Sequence, residues 1–328
     1  MIEPTFVTVD NGDIQIRVAT LGTGPLILCI HGWPELWYSW RHQMTHFAER
    51  GFTVAAMDVR GYGGSSKPAE IEAYTLTEIT SDAAAVIDAL GDGSAIVFGH
   101  DWGAPIAYNT ARLHADKVSA VAGLSVPYAP IGEHNPLEMW KQTYADTFFY
   151  QTYITEVPGV AEAEVGADSL RALRMIYYAA SGNADRSLFS EKGPDEGLLD
   201  GLVDPDPFPA WLSAEDLAVY AEAFDAGGWE GPFNRYRAQP IDAVEVGPMP
   251  DPNLHQPATF IGGELDGVRN FVPGVDLYDY AGNAIDDLRG TTVIPGVGHW
   301  VQQEAPDATN AALDAFIDSL DEPETGRR

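Results

Sequence analysis

Phe98-Gly99-His100-Asp101-Trp102-Gly103-Ala104-Pro105 joins an apolar run, residues 95–98, to a helix-like stretch, residues 105–114. A buried strand that turns sharply into a helix throws one side chain clear above the sheet edge. Glycines on both sides permit the close backbone approach that such a nucleophile elbow needs. Here the exposed side chain is Asp101. Taken alone, an Asp in a Gly-rich turn is more often a helix N-cap, so its meaning depends on partners elsewhere in the chain.

Outward from the elbow, fully apolar runs recur at Leu26–Ile30, Thr53–Met57 and Val118–Leu124, the pattern of strands covered on both faces. Helix-like stretches over residues 38–50 and Leu76–Leu90 separate them, and the alternation predicts a parallel, doubly wound sheet. Ahead of these runs, residues 5–9 and 14–18 alternate apolar and polar around Asn11-Gly12, a hairpin signal. After Pro127 the rhythm breaks. Residues 144–153 and 170–178 are rich in aromatics at helical spacing and contain no strand-like run. Strand-like runs resume at residues 258–261 and 291–294, and residues 305–320 read as a closing helix. The expected organisation is a core made of residues 1–128 and 246–328, interrupted by a helical insertion over residues 129–245. The tail, residues 321–328, is expected to fray.

The chain has 328 residues, 45% of them apolar, enough for one large core with an insertion. Acidic side chains outnumber basic ones 49 to 18, a formal net charge of -31. A field of that sign repels nucleic acid and anionic membranes, which argues against a nucleic-acid partner. Cys29 is the only cysteine and lies inside an apolar run, which excludes an intrachain disulfide. No window offers the roughly 18 apolar residues of a membrane span. The start, Met1-Ile2-Glu3-Pro4-Thr5, lacks a basic region followed by an apolar one, so a reducing cytoplasm is the expected compartment. A homodimer is left open.

An Asp at the tip of the elbow changes the reaction that can follow. A carboxylate attacking an ester carbonyl gives an anhydride that readily reverts, whereas attack on a tetrahedral carbon with a strained or good leaving group gives a stable ester. The sequence thus points to alkylation of Asp101 by an epoxide or an alkyl halide. Hydrolysing that ester requires a base, and Gly296-Val297-Gly298-His299-Trp300 supplies His299 after the last strand-like run. Asp266, just beyond the run 258–261, is the candidate to orient the ring, with Glu264 its competitor. The order nucleophile, acid, histidine is the one used by folds with this elbow. His31-Gly32-Trp33-Pro34-Glu35 follows the first buried run, so the backbone N–H groups of Trp33 and Trp102 are the candidate oxyanion donors. Pro34 would fix that loop. Phenols could assist an epoxide oxygen as it leaves, but composition alone singles out no tyrosine of the insertion. His42 and His46 have the helical spacing of metal ligands without a third partner, and the glycines of Asp58-Val59-Arg60-Gly61-Tyr62-Gly63-Gly64-Ser65 lack dinucleotide spacing. No metal or cofactor is therefore expected.

Read together, His31-Gly32-Trp33-Pro34-Glu35, the segment 58–65, Gly99-His100-Asp101-Trp102-Gly103 and Gly298-His299-Trp300 resemble the epoxide hydrolases of the α/β-hydrolase superfamily, most closely the soluble and bacterial group. Phe149-Tyr150-Gln151, the stretch 158–164 and Gly231-Pro232-Phe233-Asn234-Arg235-Tyr236-Arg237 are similar to that family's cap, so the likeness spans nearly the whole chain. The resemblance implies a mostly parallel eight-stranded sheet flanked by helices, with an inserted helical cap domain. It implies hydrolysis of a small-molecule epoxide by water to a vicinal diol, with Tyr150 and Tyr236 holding the epoxide oxygen and Tyr153 the rival of Tyr150. Trp33, Pro34, Trp102, Tyr150, Gln151, Tyr236 and Trp300 are the implied substrate-binding residues. One departure is Arg235, where the cap motif commonly has Trp, which puts a charge beside the expected pocket. Haloalkane dehalogenases, the nearest alternative, usually carry Asn after the His-Gly pair where this chain has Trp33. A noncatalytic ligand-binding member of the fold is the alternative from another class.

Overall fold

The computed structural model describes residues 3–184 and 192–320, so the tail whose fraying was expected lies outside the described residues. Eight strands form one sheet in the order β1-β2-β4-β3-β5-β6-β7-β8. They are β1 Thr5–Asn11, β2 Ile14–Gly22, β3 Leu26–Ile30, β4 Thr53–Met57, β5 Ala95–His100, β6 Val118–Leu124, β7 Ala258–Gly263 and β8 Leu288–Ile294. From β4 to β8 every neighbouring pair is parallel. The hairpin β1–β2 adds to this sheet antiparallel, β2 lying along β4.

Burial on both faces explains why the central strands read as unbroken apolar runs. Along β3, Leu26, Leu28 and Ile30 join the cluster that contains Ile79, Ala83 and Ile87 of the helix Leu76–Leu90 and Ile106 and Ala107 of the helix Gly103–Leu113. The alternate residues Ile27 and Cys29 join Met44 and Phe47 of the helix Arg41–Glu49 with Leu313 and Phe316 of the helix Pro306–Leu320. Successive side chains leave opposite faces of a strand, so each apolar run feeds two cores at once. Helix boundaries follow local chemistry: Thr75 caps the amide of Glu78, and Gly91 ends the helix after its fifteen residues.

Between β6 and β7 the described residues form helices joined by irregular segments, the main helices being Tyr150–Glu156, Ser169–Ala180, Ala214–Gly227 and Glu230–Arg237. The aromatic stretch 144–149, expected to be helical, instead leaves the helix Pro136–Thr143 and runs irregularly to Tyr150. Tyr144 and Phe149 stack face to face at 4.3 Å, so their spacing serves ring packing rather than a helical face. β8 begins at Leu288, ahead of the expected 291, because Leu288 pairs with Ala258 although its side chain is only partly buried.

Beside the elbow, the loop after β4 is tied to the helix Leu76–Leu90 by a two-point contact of Arg60 with Asp82, both buried. Removing one member of a buried ion pair leaves an uncompensated charge, so Arg60→Met is expected to lower the unfolding free energy by about 3 to 5 kcal/mol. Urea denaturation measures this, and a loss below about 1 kcal/mol, the level of a surface pair, would contradict it.

Candidate active site

Asp101 follows β5 with φ +50°, in the left-handed region. The two glycines make that turn possible through contact. A Cβ on Gly99 would lie 2.1 Å from the carbonyl oxygen of Gly103, and one on Gly103 would lie 2.0 Å from that of Ile30 in β3. The helix Gly103–Leu113 is thereby packed directly on the strand ends, and Asp101 projects from between them.

Around its carboxylate the elements converge. The N–H of Trp33, in the loop after β3, donates to Asp101 Oδ1 at 2.7 Å. A Cβ on Gly32 would meet that same oxygen at 2.3 Å and the backbone nitrogen of Trp102 at 2.6 Å, so both candidate oxyanion donors border one small space. The Trp33–Pro34 bond is cis. On the other side, His299 Nε2 lies 3.3 Å from Asp101 Oδ2, while its Nδ1 lies 3.1 Å from both oxygens of Asp266. Asp266 also accepts the N–H of Val268 at 2.9 Å and the hydroxyl of Tyr278 at 2.8 Å. Glu264, the competitor, turns its carboxylate to the N–H of Gly296 instead.

The charges of this row support one another. Burial alone would lower the His299 pKa, but the carboxylates of Asp266 and Asp101 raise it well above its ordinary value. Burial would raise Asp266, but the imidazolium and the Val268 and Tyr278 donors bring it below the usual carboxylate range. Both shifts favour an imidazolium paired with the Asp266 carboxylate.

Tyr150, at the start of its helix, and Tyr236, at the end of Glu230–Arg237, meet edge to face with ring centroids 5.8 Å apart, and both rings adjoin Trp33. Burial first, then the Asp101 charge, pushes the Tyr150 phenol up, and burial does the same to Tyr236, so both keep their protons. Among the described residues the buried Tyr236 hydroxyl makes no well-formed hydrogen bond. Tyr153 faces away and donates to Glu164 at 2.7 Å. Gln151 takes an amide hydrogen bond from Gln239 at 3.2 Å and donates to the Tyr150 oxygen at 3.1 Å, so its amide acts through Tyr150. Trp300 lies behind His299. Its ring stacks on Tyr177 at 4.3 Å and its Nε1–H donates to the Tyr177 carbonyl. Pro34 is bound through its carbonyl by the Tyr177 hydroxyl at 3.1 Å. Arg235 is buried and directed toward Asp242 and the Tyr74 carbonyl, its guanidinium 4.7 Å from the Trp102 ring centroid.

Sequence reasoning missed several supporting groups. Tyr278 comes from a segment with no motif. Glu35 and His100 stand inside quoted motifs, yet only the fold brings Glu35 to His100 Nδ1 at 2.7 Å and His100 Nε2 to the His299 carbonyl at 2.8 Å. Burial would raise Glu35, but His100 and the Gly32 N–H draw it down to about 2. Of the metal-spaced histidines, His46 is bonded to Asp314, and among the described residues no cluster of His, Cys, Asp and Glu is arranged to hold a metal.

This fold and row of residues define an α/β-hydrolase with a carboxylate in the nucleophile's place. A family model described as the alpha/beta hydrolase fold matches residues 25–174. Epoxide hydrolase A of Mycobacterium tuberculosis is 38% identical over 97% of this chain and 98% of its own length. Epoxide hydrolase 3 of Siraitia grosvenorii is 32% identical over 96% and 98%. Among solved structures, an epoxide hydrolase from an endophytic Streptomyces superposes with a TM-score of 0.91 at 40% identity, covering 98% of this chain and 97% of that one. The chain belongs to the epoxide hydrolases of the α/β-hydrolase fold.

If Asp101 supports the His299 charge as the geometry indicates, Asp101→Asn removes one neighbouring anion, and the His299 titration midpoint must fall. NMR titration of the imidazole checks this. A midpoint that stays in place would show that Asp101 does not contribute.

Proposed function

We propose that the chain hydrolyses a small-molecule epoxide to a vicinal diol through an ester on Asp101. The observation that carries this reading is the geometry of Asp101, one oxygen on the Trp33 N–H and the other facing His299, beside a pair of tyrosines that retain their protons. Residues 129–245 act as the cap that carries those tyrosines. The reaction requires epoxide and water and no cofactor, and a cytoplasmic setting, resting on the single buried Cys29, is part of the reading.

In the first step an Asp101 oxygen attacks one epoxide carbon, the carbon–oxygen bond breaks, and its electron pair goes to the epoxide oxygen. Tyr150 and Tyr236 donate to that oxygen as charge develops, with Gln151 orienting the Tyr150 hydroxyl. Esterification removes the Asp101 charge. His299 then keeps one anionic neighbour instead of two, its pKa falls, and its proton neutralises the new alkoxide. The neutral imidazole is now a base. It takes a proton from water, and the hydroxide attacks the Asp101 carbonyl carbon while the N–H groups of Trp33 and Trp102 hold the oxyanion. Collapse expels the second diol oxygen as an alkoxide, which takes the proton of the new carboxyl group, leaving the diol and the Asp101 carboxylate beside a protonated His299. Asp266 keeps the ring oriented throughout and balances its charge.

Under single turnover in heavy-oxygen water, the label is expected in the Asp101 carboxylate rather than in the diol. Label found directly in the diol would overturn the covalent route, and halide release from alkyl halides with no epoxide turnover would overturn the choice of substrate. Tyr150→Phe and Tyr236→Phe are each expected to slow formation of the ester by about 100-fold, the effect of losing one oxyanion donor. Stopped-flow fluorescence reads that step. An unchanged rate in both variants would remove the tyrosines from the mechanism.

A further inference from the structure

His299 occupies a loop whose backbone is held from three directions. Its carbonyl accepts from His100 Nε2 at 2.8 Å and from the Ser125 hydroxyl at 2.6 Å, both at the strand ends. Its own N–H donates to the carbonyl of Ala180, at the end of the inserted helix Ser169–Ala180. The third hold is the carboxylate of Glu304. Oε2 accepts the N–H of Gly298 at 3.1 Å and Oε1 that of Trp300 at 3.0 Å, so one side chain grips the peptides on both sides of the base. The same Oε2 accepts the N–H of Gly182 at 2.8 Å, two residues beyond Ala180.

The two backbones joined by this carboxylate are in contact. A Cβ on Gly298 would lie 2.3 Å from the nitrogen of Gly182, and one on Gly182 would lie 2.3 Å from the carbonyl oxygen of Gly296. Three N–H donors meeting two oxygens suit an acceptor-only group, and a carboxylate is the side chain that offers both oxygens as acceptors. Nothing in the chemistry of the row itself requires Glu304, which touches neither Asp101 nor the imidazole. What it controls is where the loop carrying the base sits relative to the inserted helix.

We infer that Glu304 is a positioning residue for the second half of the cycle. It sets His299 at its working distance from Asp101 by clamping residues 298 and 300 to the cap at Gly182. This inference rests on the proposed roles of Asp101 and His299. Ester formation uses the Asp101 carboxylate and the tyrosines, which Glu304 does not contact, whereas hydrolysis depends on the imidazole reaching a water beside the ester. Displacing a catalytic group slightly is costly to the step that uses it and neutral to the other.

Glu304→Gln keeps the size of the side chain but turns one acceptor into a donor opposed to a peptide N–H. Glu304→Asp keeps the charge on a shorter arm. Single-turnover fluorescence resolves the ester's formation from its hydrolysis, through the indoles of Trp33 and Trp102 beside Asp101. The expected result for Gln is an unchanged formation rate and hydrolysis slowed by about 10-fold, with a smaller loss for Asp. In the steady state kcat and KM then fall together and kcat/KM is kept, because slow hydrolysis accumulates ester without altering capture of the epoxide. The fluorescence amplitude counts competent enzyme, so partial unfolding reduces amplitude and leaves both rates alone. Unchanged hydrolysis in both variants, or equal slowing of both steps, overturns the inference. His299→Gln separates the two layers. If it hydrolyses the ester at the wild-type rate, the role given to His299 fails. If it stalls at the ester while the Glu304 variants do not, only the role of Glu304 fails.

Discussion

Asp101 is held at φ +50°, a conformation that costs a non-glycine residue about 1 to 3 kcal/mol and persists only where surrounding structure imposes it. The imposing structure is backbone pressed on backbone. Gly99 lies against Gly103, and Gly103 lies against Ile30 of the neighbouring strand, with no room for a side chain at either glycine. The parallel strands β3 and β5 end at the same level, so the loops after them, carrying Trp33 and Asp101, must adjoin. β6 and β7 continue the row and bring Ser125 and Asp266 to the same edge. Each catalytic candidate of the core thus stands at a carboxyl end of a strand, where one register serves them all.

Within a chain of formal net charge -31, two buried carboxylates raise the His299 pKa well above its ordinary value against the lowering effect of burial. His299 is flanked by Asp101 and Asp266, and the low dielectric around them strengthens the effect of each carboxylate on the imidazole. The tyrosines follow the opposite logic. Burial and the nearby carboxylate push their pKa values up, which suits the donor role proposed for them. The general acidity of the surface has no counterpart in this arrangement.

The inserted helices do more than cover the core. Tyr177 binds the Pro34 carbonyl through its hydroxyl and the Trp300 indole through its carbonyl, so one residue of the insertion touches both the oxyanion loop and the loop of the base. Arg235, which departs from the family's usual residue, is turned away from the tyrosine pair. Its charge is balanced by Asp242, which also accepts the N–H of Leu76 at 2.7 Å, tying the insertion to the start of a core helix. Arg235 and Asp242 together thus connect insertion and core, and the two phenols meet beside them.

Much of this was legible before any fold was known. Apolar runs covered on both faces have no polar period, so β3 to β7 announced themselves. The Gly-x-Asp-x-Gly turn carried its own steric reason, and the proposal of an ester intermediate rests on the identity of the central side chain. The order of Asp101, Asp266 and His299 along the chain paired them correctly in space, since parallel strands align successive loops at one edge. The choice between Tyr150 and Tyr153 needed the tertiary structure, because residues three apart on a short helix differ only in what the fold sets opposite them. Tyr236 lies opposite one and Glu164 opposite the other. The partners of Asp266, His100 and His299 were hidden for the same reason. Tyr278, Glu35 and Glu304 are ordinary in type, and although Glu304 follows His299 closely in sequence, their contacts come only from the way packing brings the loops together.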